Sequence, residues 1–369
     1  MTQLAYGDVL ADRYEINGTV GEGGMQHVYA CYDRSLSRQC VLKVPKAGVH
    51  DRRFRRGAAA GALVRHQNVA ATFDYYEGQN FTFMVEELVP GRDLARRLQQ
   101  DFYYLDPALA AHLIHHIARG VLAAHRAGIC HRDLKPNNIM VSDDAGMSVI
   151  KLTDFGIAKM AQEELGAEID NIARQNSMVT SSSTLLGAMP YLSPECWDNW
   201  SLADKPMDIW ALGCIGYQLI TGFPPFGTGA AAVGAVMRAA AAGSVQLQRP
   251  GWFGTHASSG PLEQELLQLI SSCLAIDPSA RPTAERVVEA ASLMCYPEGP
   301  RKHGTVQSVG SPFASSNWIL DLHGNSLFFH SAEFYGNGSP QPGQNVSFCF
   351  YPGNPYDRAA PVLLLKPNP

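Results

Sequence analysis

The octapeptide His131-Arg132-Asp133-Leu134-Lys135-Pro136-Asn137-Asn138 limits this chain more than any other stretch, because it sets an acid, a cation and an amide at fixed offsets. Phosphoryl transfer to a hydroxyl requires those three groups. Asp133 would accept or orient the proton of the attacking hydroxyl, Lys135 would neutralise charge on the phosphoryl group in flight, and Asn138 would hold a metal ion. The amphipathic helical pattern from Pro107 to Ala127 leads straight into this loop.

Further motifs stand on either side. Tyr14 to Val44 reads as short strands around the turn Gly21-Glu22-Gly23-Gly24-Met25-Gln26, with Val28 after it and Lys43 on the next strand but one. Glycines there let backbone amides approach phosphates without obstruction by a Cβ. Val149 to Gly156 reads as a strand ending in Asp154-Phe155-Gly156, sixteen residues after Asn138. Together these motifs resemble the protein kinase family, and a lysine two residues after Asp133 resembles its serine/threonine class. The resemblance covers about Tyr14 to Met294. It implies that Gly21, Glu22, Gly23, Gly24 and Val28 cover ATP and that Lys43 grips its α- and β-phosphates. It also implies that Glu87, Leu88 and Val89 lie along the adenine and that Asp154 chelates magnesium with Asn138.

Two departures fall in the part expected to hold Lys43. Counting back from Arg65-His66-Gln67-Asn68-Val69, the helix position where the family places a glutamate partner for that lysine is Gly57, and Gly61 stands where an apolar side chain is usual. Each glycine costs a helix interior about 1 kcal/mol relative to alanine, so this helix is expected to be mobile or to be ordered by a partner. Glu86 takes the gatekeeper position at the back of the adenine pocket. A buried carboxylate is expensive without a cation, and Lys43 is the nearest one expected. Glu86 either replaces the lost glutamate or is protonated, solvated or out of register.

Between Asp154 and Glu195 the chain carries an acidic stretch and then Thr180, Ser181, Ser182, Ser183 and Thr184. Arg132 precedes the catalytic aspartate, where the resembling family commonly receives a loop phosphate, so phosphorylation around Thr180, Ser182 and Thr184 is expected. Gly187 to Glu195 resembles the family's segment end, with Ala188 in place of a threonine that touches the catalytic residues. By the same resemblance Glu195 pairs with Arg281, Asp208 caps the catalytic loop backbone, and Phe155 and Gly156 are regulatory positions.

Composition narrows the rest. A net charge of −5 gives no global pull toward nucleic acid or anionic lipid. Eight scattered cysteines without a Cys-x-x-Cys pair argue against a zinc ribbon and fit reduced thiols. The N-terminus has neither a basic segment nor an apolar one, and the longest apolar stretch, Asp208 to Ile220, is too short to span a bilayer, so a cytoplasmic protein without a membrane partner is expected.

At Tyr296 the composition shifts to Gly, Asn, Ser and aromatics. Strands are expected at His303 to Val309, Trp318 to Leu322, Ser326 to His330, Asn345 to Tyr351 and Ala360 to Leu365, enough for a small barrel. Gly304-Thr-Val, Leu327-Phe-Phe-His-Ser331, Gly343-Gln-Asn-Val-Ser-Phe348 and Ala359-Ala-Pro-Val362 resemble a cold-shock domain, an OB-like five-stranded barrel. That resemblance puts Trp318, Phe328 and His330 where bases of single-stranded RNA or DNA stack. Four basic residues against three acidic ones from Arg301 onward are thin for holding phosphates, and a protein-docking module with core aromatics is the other reading.

The expected class is therefore α+β, a bilobal protein kinase fold with a β-rich N-lobe and a helical C-lobe, followed by the barrel. The expected boundaries are an extension over 1–13, a small lobe over 14–88, a large lobe over 89–295, a linker over 296–302 and the barrel over 303–369. Its expected activity is transfer of the ATP γ-phosphate to protein Ser/Thr hydroxyls with magnesium. The alternative is a pseudokinase scaffold that works through its barrel. The sequence sets neither the substrate nor the oligomeric state.

Overall fold

Cys40, Leu42 and Val44 alternate with Val41 and Lys43 along one strand, and this period of two sets the faces of the first sheet. The structure, a computed structural model, describes residues 4–22, 26–46, 51–78, 81–155, 187–199, 204–256, 259–295, 299–310, 313 and 315–367. The first sheet holds β1 (Val9–Leu10), β2 (Tyr14–Glu22), β3 (Gln26–Asp33), β4 (Arg38–Pro45), β5 (Thr72–Glu77) and β6 (Thr82–Glu87), in the order β1-β2-β3-β4-β6-β5, all antiparallel. Tyr14, Ile16, Tyr29, Cys31, Cys40, Leu42, Phe83 and Val85 make the core on one face. Val28, Val41, Lys43 and Glu86 fall on the other, since Val28 is opposite Lys43 and Val41 opposite Glu86. The same register places Lys43 opposite Met84, so Glu86, two residues along, is its diagonal neighbour.

Helix α1 (Asp51–Leu63) lies against this sheet, with Phe54 and Ala58 buried on Met84 and Tyr75. Gly61 permits the close approach. A Cβ there would stand 2.4 Å from the Thr72 Oγ1 atom, so the glycine that weakens the helix locally also seats it on β5.

The large lobe is built from β7 (Arg92–Asp93), α2 (Leu94–Gln100), α3 (Pro107–Arg126), β8 (Ile139–Val141), β9 (Ile150–Leu152), α4 (Pro194–Asn199), α5 (Pro206–Thr221), α6 (Ala230–Ala242), α7 (Gly260–Cys273) and α8 (Ala284–Met294). Asp106 starts α3 by accepting the Leu109 N–H at 3.1 Å, and Pro107 follows at the position where a missing N–H costs nothing. α5 is apolar on nearly all sides and is correspondingly buried from Met207 to Ile220, with Trp210 fully enclosed. No helix among the described residues is long and apolar enough to cross a membrane.

The third unit is a closed five-stranded barrel of β10 (Arg301–Ser308), β11 (Ser316–Asp321), β12 (Ser326–His330), β14 (Asn345–Tyr351) and β15 (Arg358–Leu364), with the two-residue strand β13 (Phe334–Tyr335) on its edge. Closure comes from a parallel pairing at Phe328 and Arg358. Val306, Ile319, Leu327, Phe329, Val346, Phe348 and Val362 fill the interior. Arg301 and Lys302, expected in the linker, belong to β10, where they pair with Cys349 and Phe348 of β14, and Arg301 also makes a buried contact with the large lobe.

That contact is part of an extensive seam. Arg301 Nη1 and Nη2 donate to the two Asp106 carboxylate oxygens at 2.8 and 3.0 Å, so the residue that caps α3 is also half of a buried ion pair. Tyr335 and Leu363 pack inside the large lobe's core. The Tyr335 hydroxyl donates to Glu263 at 2.9 Å, and its ring stacks on His256 with centroids 3.7 Å apart. Lys366 Nζ donates to the Leu98 and Gln99 carbonyls at 3.2 and 2.8 Å, and Leu365 bridges to Phe102.

Candidate active site

The loop from His131 to Asn138 is held from beneath by one buried carboxylate. Asp208, near the start of α5, accepts the His131 N–H at 2.8 Å, the Arg132 N–H at 2.9 Å and His125 Nε2 at 2.8 Å. Burial alone would raise its pKa, but the His125 bond, nearby positive charge and the backbone donor hold it below the usual carboxylate range. Arg132 takes a φ of 66° and Asp154 a φ of 62°, a region that side chains other than glycine rarely occupy, so both ends of the site carry backbone that the surrounding bonds must enforce.

Those bonds gather the polar groups. Lys135 Nζ donates to both Asp133 oxygens at 2.9 and 2.8 Å, and Asn138 Nδ2 donates to the Asp133 backbone oxygen at 2.7 Å and to its carboxylate at 2.9 Å. This turns the amide nitrogen of Asn138 inward and leaves its carbonyl oxygen as the group that can face a cation. The Asn138 backbone carbonyl accepts the Thr153 N–H at 3.0 Å, and His131 Nε2 lies 3.0 Å from the Thr153 backbone carbonyl, which ties the loop to the residue before Asp154. Phe155 is buried, its ring centroid 4.6 Å from that of His131.

Across the cleft, Lys43 Nζ sits 2.6 Å from Glu86 Oε2 and 2.8 Å from Asp154 Oδ1. Burial works against the ammonium, yet Asp154 and Glu86 outweigh it and hold Lys43 above its usual range. One cation shared by the buried Glu86 and the half-buried Asp154 leaves the two carboxylates short of positive charge. Asp154 is kept below its usual range against burial by Lys43 and Gln26, while burial and the neighbouring Asp154 charge push Glu86 up despite its contact with Lys43. A divalent cation at Asp154 would relieve that shortage, and the hard oxygens of Asp154 and Asn138 suit magnesium.

Gln26 was not singled out from sequence as a site residue. Its Nε2 donates to Asp154 Oδ1 at 2.7 Å, and its Oε1 is buried without a partner among the described residues. The available signal was a side chain standing where the phosphate-covering pattern has its third glycine.

The remaining expected site residues fall as follows. Gly21 and Glu22 end β2, opposite Val28 and His27 on β3. Glu87 is tied by its side chain to Lys151 at 2.6 Å and by its N–H to the Ala71 carbonyl at 2.9 Å, and Val89 is buried. Arg281 binds Glu195 through both terminal nitrogens, at 2.6 and 2.8 Å, with its guanidinium also lying over Trp210. Trp318 meets Phe328 and Tyr356 edge to face on the barrel's outer surface, and His330 is exposed next to them in register. Gly23, Gly24, Gly156, Thr180, Ser182 and Thr184 lie outside the described residues.

A family model for the protein kinase domain matches residues 14–292. Among curated relatives, a probable serine/threonine-protein kinase PknB of Corynebacterium glutamicum is 35% identical over 227 residues, covering 59% of this chain and 33% of the relative. The serine/threonine-protein kinase PrkC of Bacillus subtilis is 32% identical over 228 residues, covering 60% of this chain and 32% of the relative. For PknB of Mycobacterium leprae the identity is 32% over 226 residues, with 59% and 34% covered. The chain spans about a third of the length of these relatives.

Proposed function

Because the chain belongs to the protein kinase domain family, we propose that it transfers the γ-phosphoryl group of ATP to serine and threonine hydroxyls of proteins, itself included. The observation that carries this reading is the cluster in which Asp133, Lys135 and Asn138 meet within hydrogen-bonding distance, facing a lysine held by Asp154. In it Asp133 orients the attacking hydroxyl and takes its proton, and Lys135 stands beside the place where negative charge develops. Lys43 holds the ATP phosphates, with Glu86 fixing its ammonium. Asp154 and Asn138 would hold magnesium, which supplies neutralisation of phosphate charge when bound.

Incubation with radiolabelled ATP and magnesium, followed by acid hydrolysis and identification of labelled phosphoserine or phosphothreonine, tests the proposal. Label is expected on the chain and on an added Ser/Thr-rich protein. If neither is labelled, the scaffold reading takes its place. For Glu86→Gln the expected result is a rise in the KM for ATP of about tenfold, roughly 1.4 kcal/mol, with the melting temperature little changed. An unchanged KM would remove Glu86 from the grip on Lys43.

For the barrel, we favour docking on its own large lobe over nucleic-acid binding. The outer cluster of Trp318, Phe328 and Tyr356 resembles a base-stacking platform. The placement of its cations favours the docking reading, since Arg301 is spent on Asp106, Lys366 on backbone carbonyls, and Lys302 lies over Phe350 and 3.8 Å from Asp321. Of the barrel's four basic residues only Arg358 is left without such a commitment among the described residues, too little for tracking a phosphate backbone. The full chain is therefore expected to show no salt-dependent binding to single-stranded RNA or DNA in a fluorescence anisotropy titration.

A further inference from the structure

Two thiols face each other inside the small lobe, in a part of the molecule that the proposed phosphoryl transfer does not use. Cys31 on β3 and Cys40 on β4 are direct Cα partners across the antiparallel pair, and their sulfurs lie 3.1 Å apart. Both are fully buried, on the face of the sheet opposite Lys43, and neither is oxidised. Directly opposed residues in antiparallel strands have Cα atoms about 4.5 or 5.5 Å apart, inside the span of roughly 4.4–6.8 Å that a disulfide bridges. The backbone therefore already meets the requirement that most cysteine pairs fail.

The geometry points to Cys31 and Cys40 as a peroxide-sensitive modification site that closes into a reversible intrachain disulfide. The pair also shares its protons unequally. Their hydrogen bond, together with burial, pushes the Cys31 thiol up, while the same bond and the nearby Arg38 charge hold Cys40 below its usual range. Their contact favours loss of one proton before the other, and Cys40, the thiol beside the Arg38 charge, is assigned the first attack, the roles being interchangeable in the chemistry that follows. Its thiolate attacks hydrogen peroxide, the O–O bond breaks, an S–O bond forms and hydroxide leaves as water after taking a proton. Cys31 sulfur then attacks the sulfenic sulfur, the S–S bond forms as the S–O bond breaks, and the departing hydroxide leaves with the Cys31 proton as a second water. Two thiols lose two electrons and one peroxide gains them, and a dithiol reductant reverses the exchange.

Burial sets the rate. Peroxide reaches the sulfurs only through local opening of the β3–β4 hairpin, whose turn residues 34–37 are exposed. Once Cys40 is a sulfenic acid, its partner is already in contact, so closure to the disulfide precedes further oxidation. The link would join the two strands that carry Gln26 and Lys43.

The test uses the whole chain, treated with hydrogen peroxide, quenched, alkylated in denaturant without reductant and digested for peptide mass spectrometry. Expected is a peptide pair joined through Cys31 and Cys40, lighter by two hydrogens than its reduced components and released by dithiothreitol, with both residues missing from the alkylated fraction. A Cys31→Ala chain, whose small lobe keeps its apolar packing, is expected to lose the linked pair and to carry Cys40 alkylated or as a sulfinic acid. The proposal is overturned if both cysteines of the wild type remain alkylatable under peroxide that oxidises other thiols of the chain, or if either links to a different cysteine. Neither outcome depends on whether the chain transfers phosphate.

Discussion

Asp133→Asn is expected to lower the rate of phosphate transfer by about 10²–10⁴-fold and to leave the fold intact. The substitution keeps the shape of the side chain and removes the carboxylate that the proposed mechanism assigns to the hydroxyl's proton. Both carboxylate oxygens of Asp133 receive Lys135, and one also receives Asn138, so an amide can satisfy part of this net but must turn a donor toward a donor. Some of the loss will therefore come from a disturbed loop as well as from the missing base. Comparing the KM for ATP separates the two, because ATP is gripped across the cleft by Lys43 and its KM should move little. A transfer rate equal to that of the wild type would remove Asp133 from the chemistry.

Breaking the seam from one side should be nearly as damaging to stability as the first change is to activity. Arg301→Ala leaves Asp106, which has no exposed surface, as an uncompensated buried charge, and such changes cost about 3–5 kcal/mol. The expected outcome is an unfolding midpoint shifted to lower denaturant and faster proteolysis between the large lobe and the barrel. Asp106→Asn combined with Arg301→Met should recover much of the loss. The asparagine still caps α3 at Leu109, and the methionine leaves neither charge unpaired. If Arg301→Ala unfolds at the wild-type midpoint, the ion pair contributes nothing to holding the barrel.

What could be read from the sequence depended on distance along the chain. The loop from His131 to Asn138 and the motif at Asp154 carry their chemistry in spacing alone, and the barrel strands announce themselves by alternation, each within two residues or so of its observed ends. Charge also carried information over longer separations, since the cost of burying a carboxylate leads from Glu86 to the nearest cation. The seam offered no such signal. Asp106 carries no mark in the sequence reading and Arg301 falls in the expected linker, and only the folded chain shows that residues 195 apart neutralise each other. Gly61 shows the opposite difficulty, for propensity counts its cost to the helix but not the approach to Thr72 that its missing side chain allows. Gln26 needed the same kind of knowledge, because its importance comes from a partner 128 positions away.

The place of Tyr335 and Leu363 in the large lobe's own core has a consequence for how the chain comes apart. A break in composition near residue 296 suggests two pieces that could be cut and studied separately. Yet Tyr335 stacks on His256 and donates to the buried Glu263, so cutting there would strip a carboxylate of a donor and open an apolar socket to water. The change in amino-acid usage marks where one architecture gives way to another, while packing and hydrogen bonds run across it, so the catalytic lobe and the barrel are expected to melt as a single body in calorimetry.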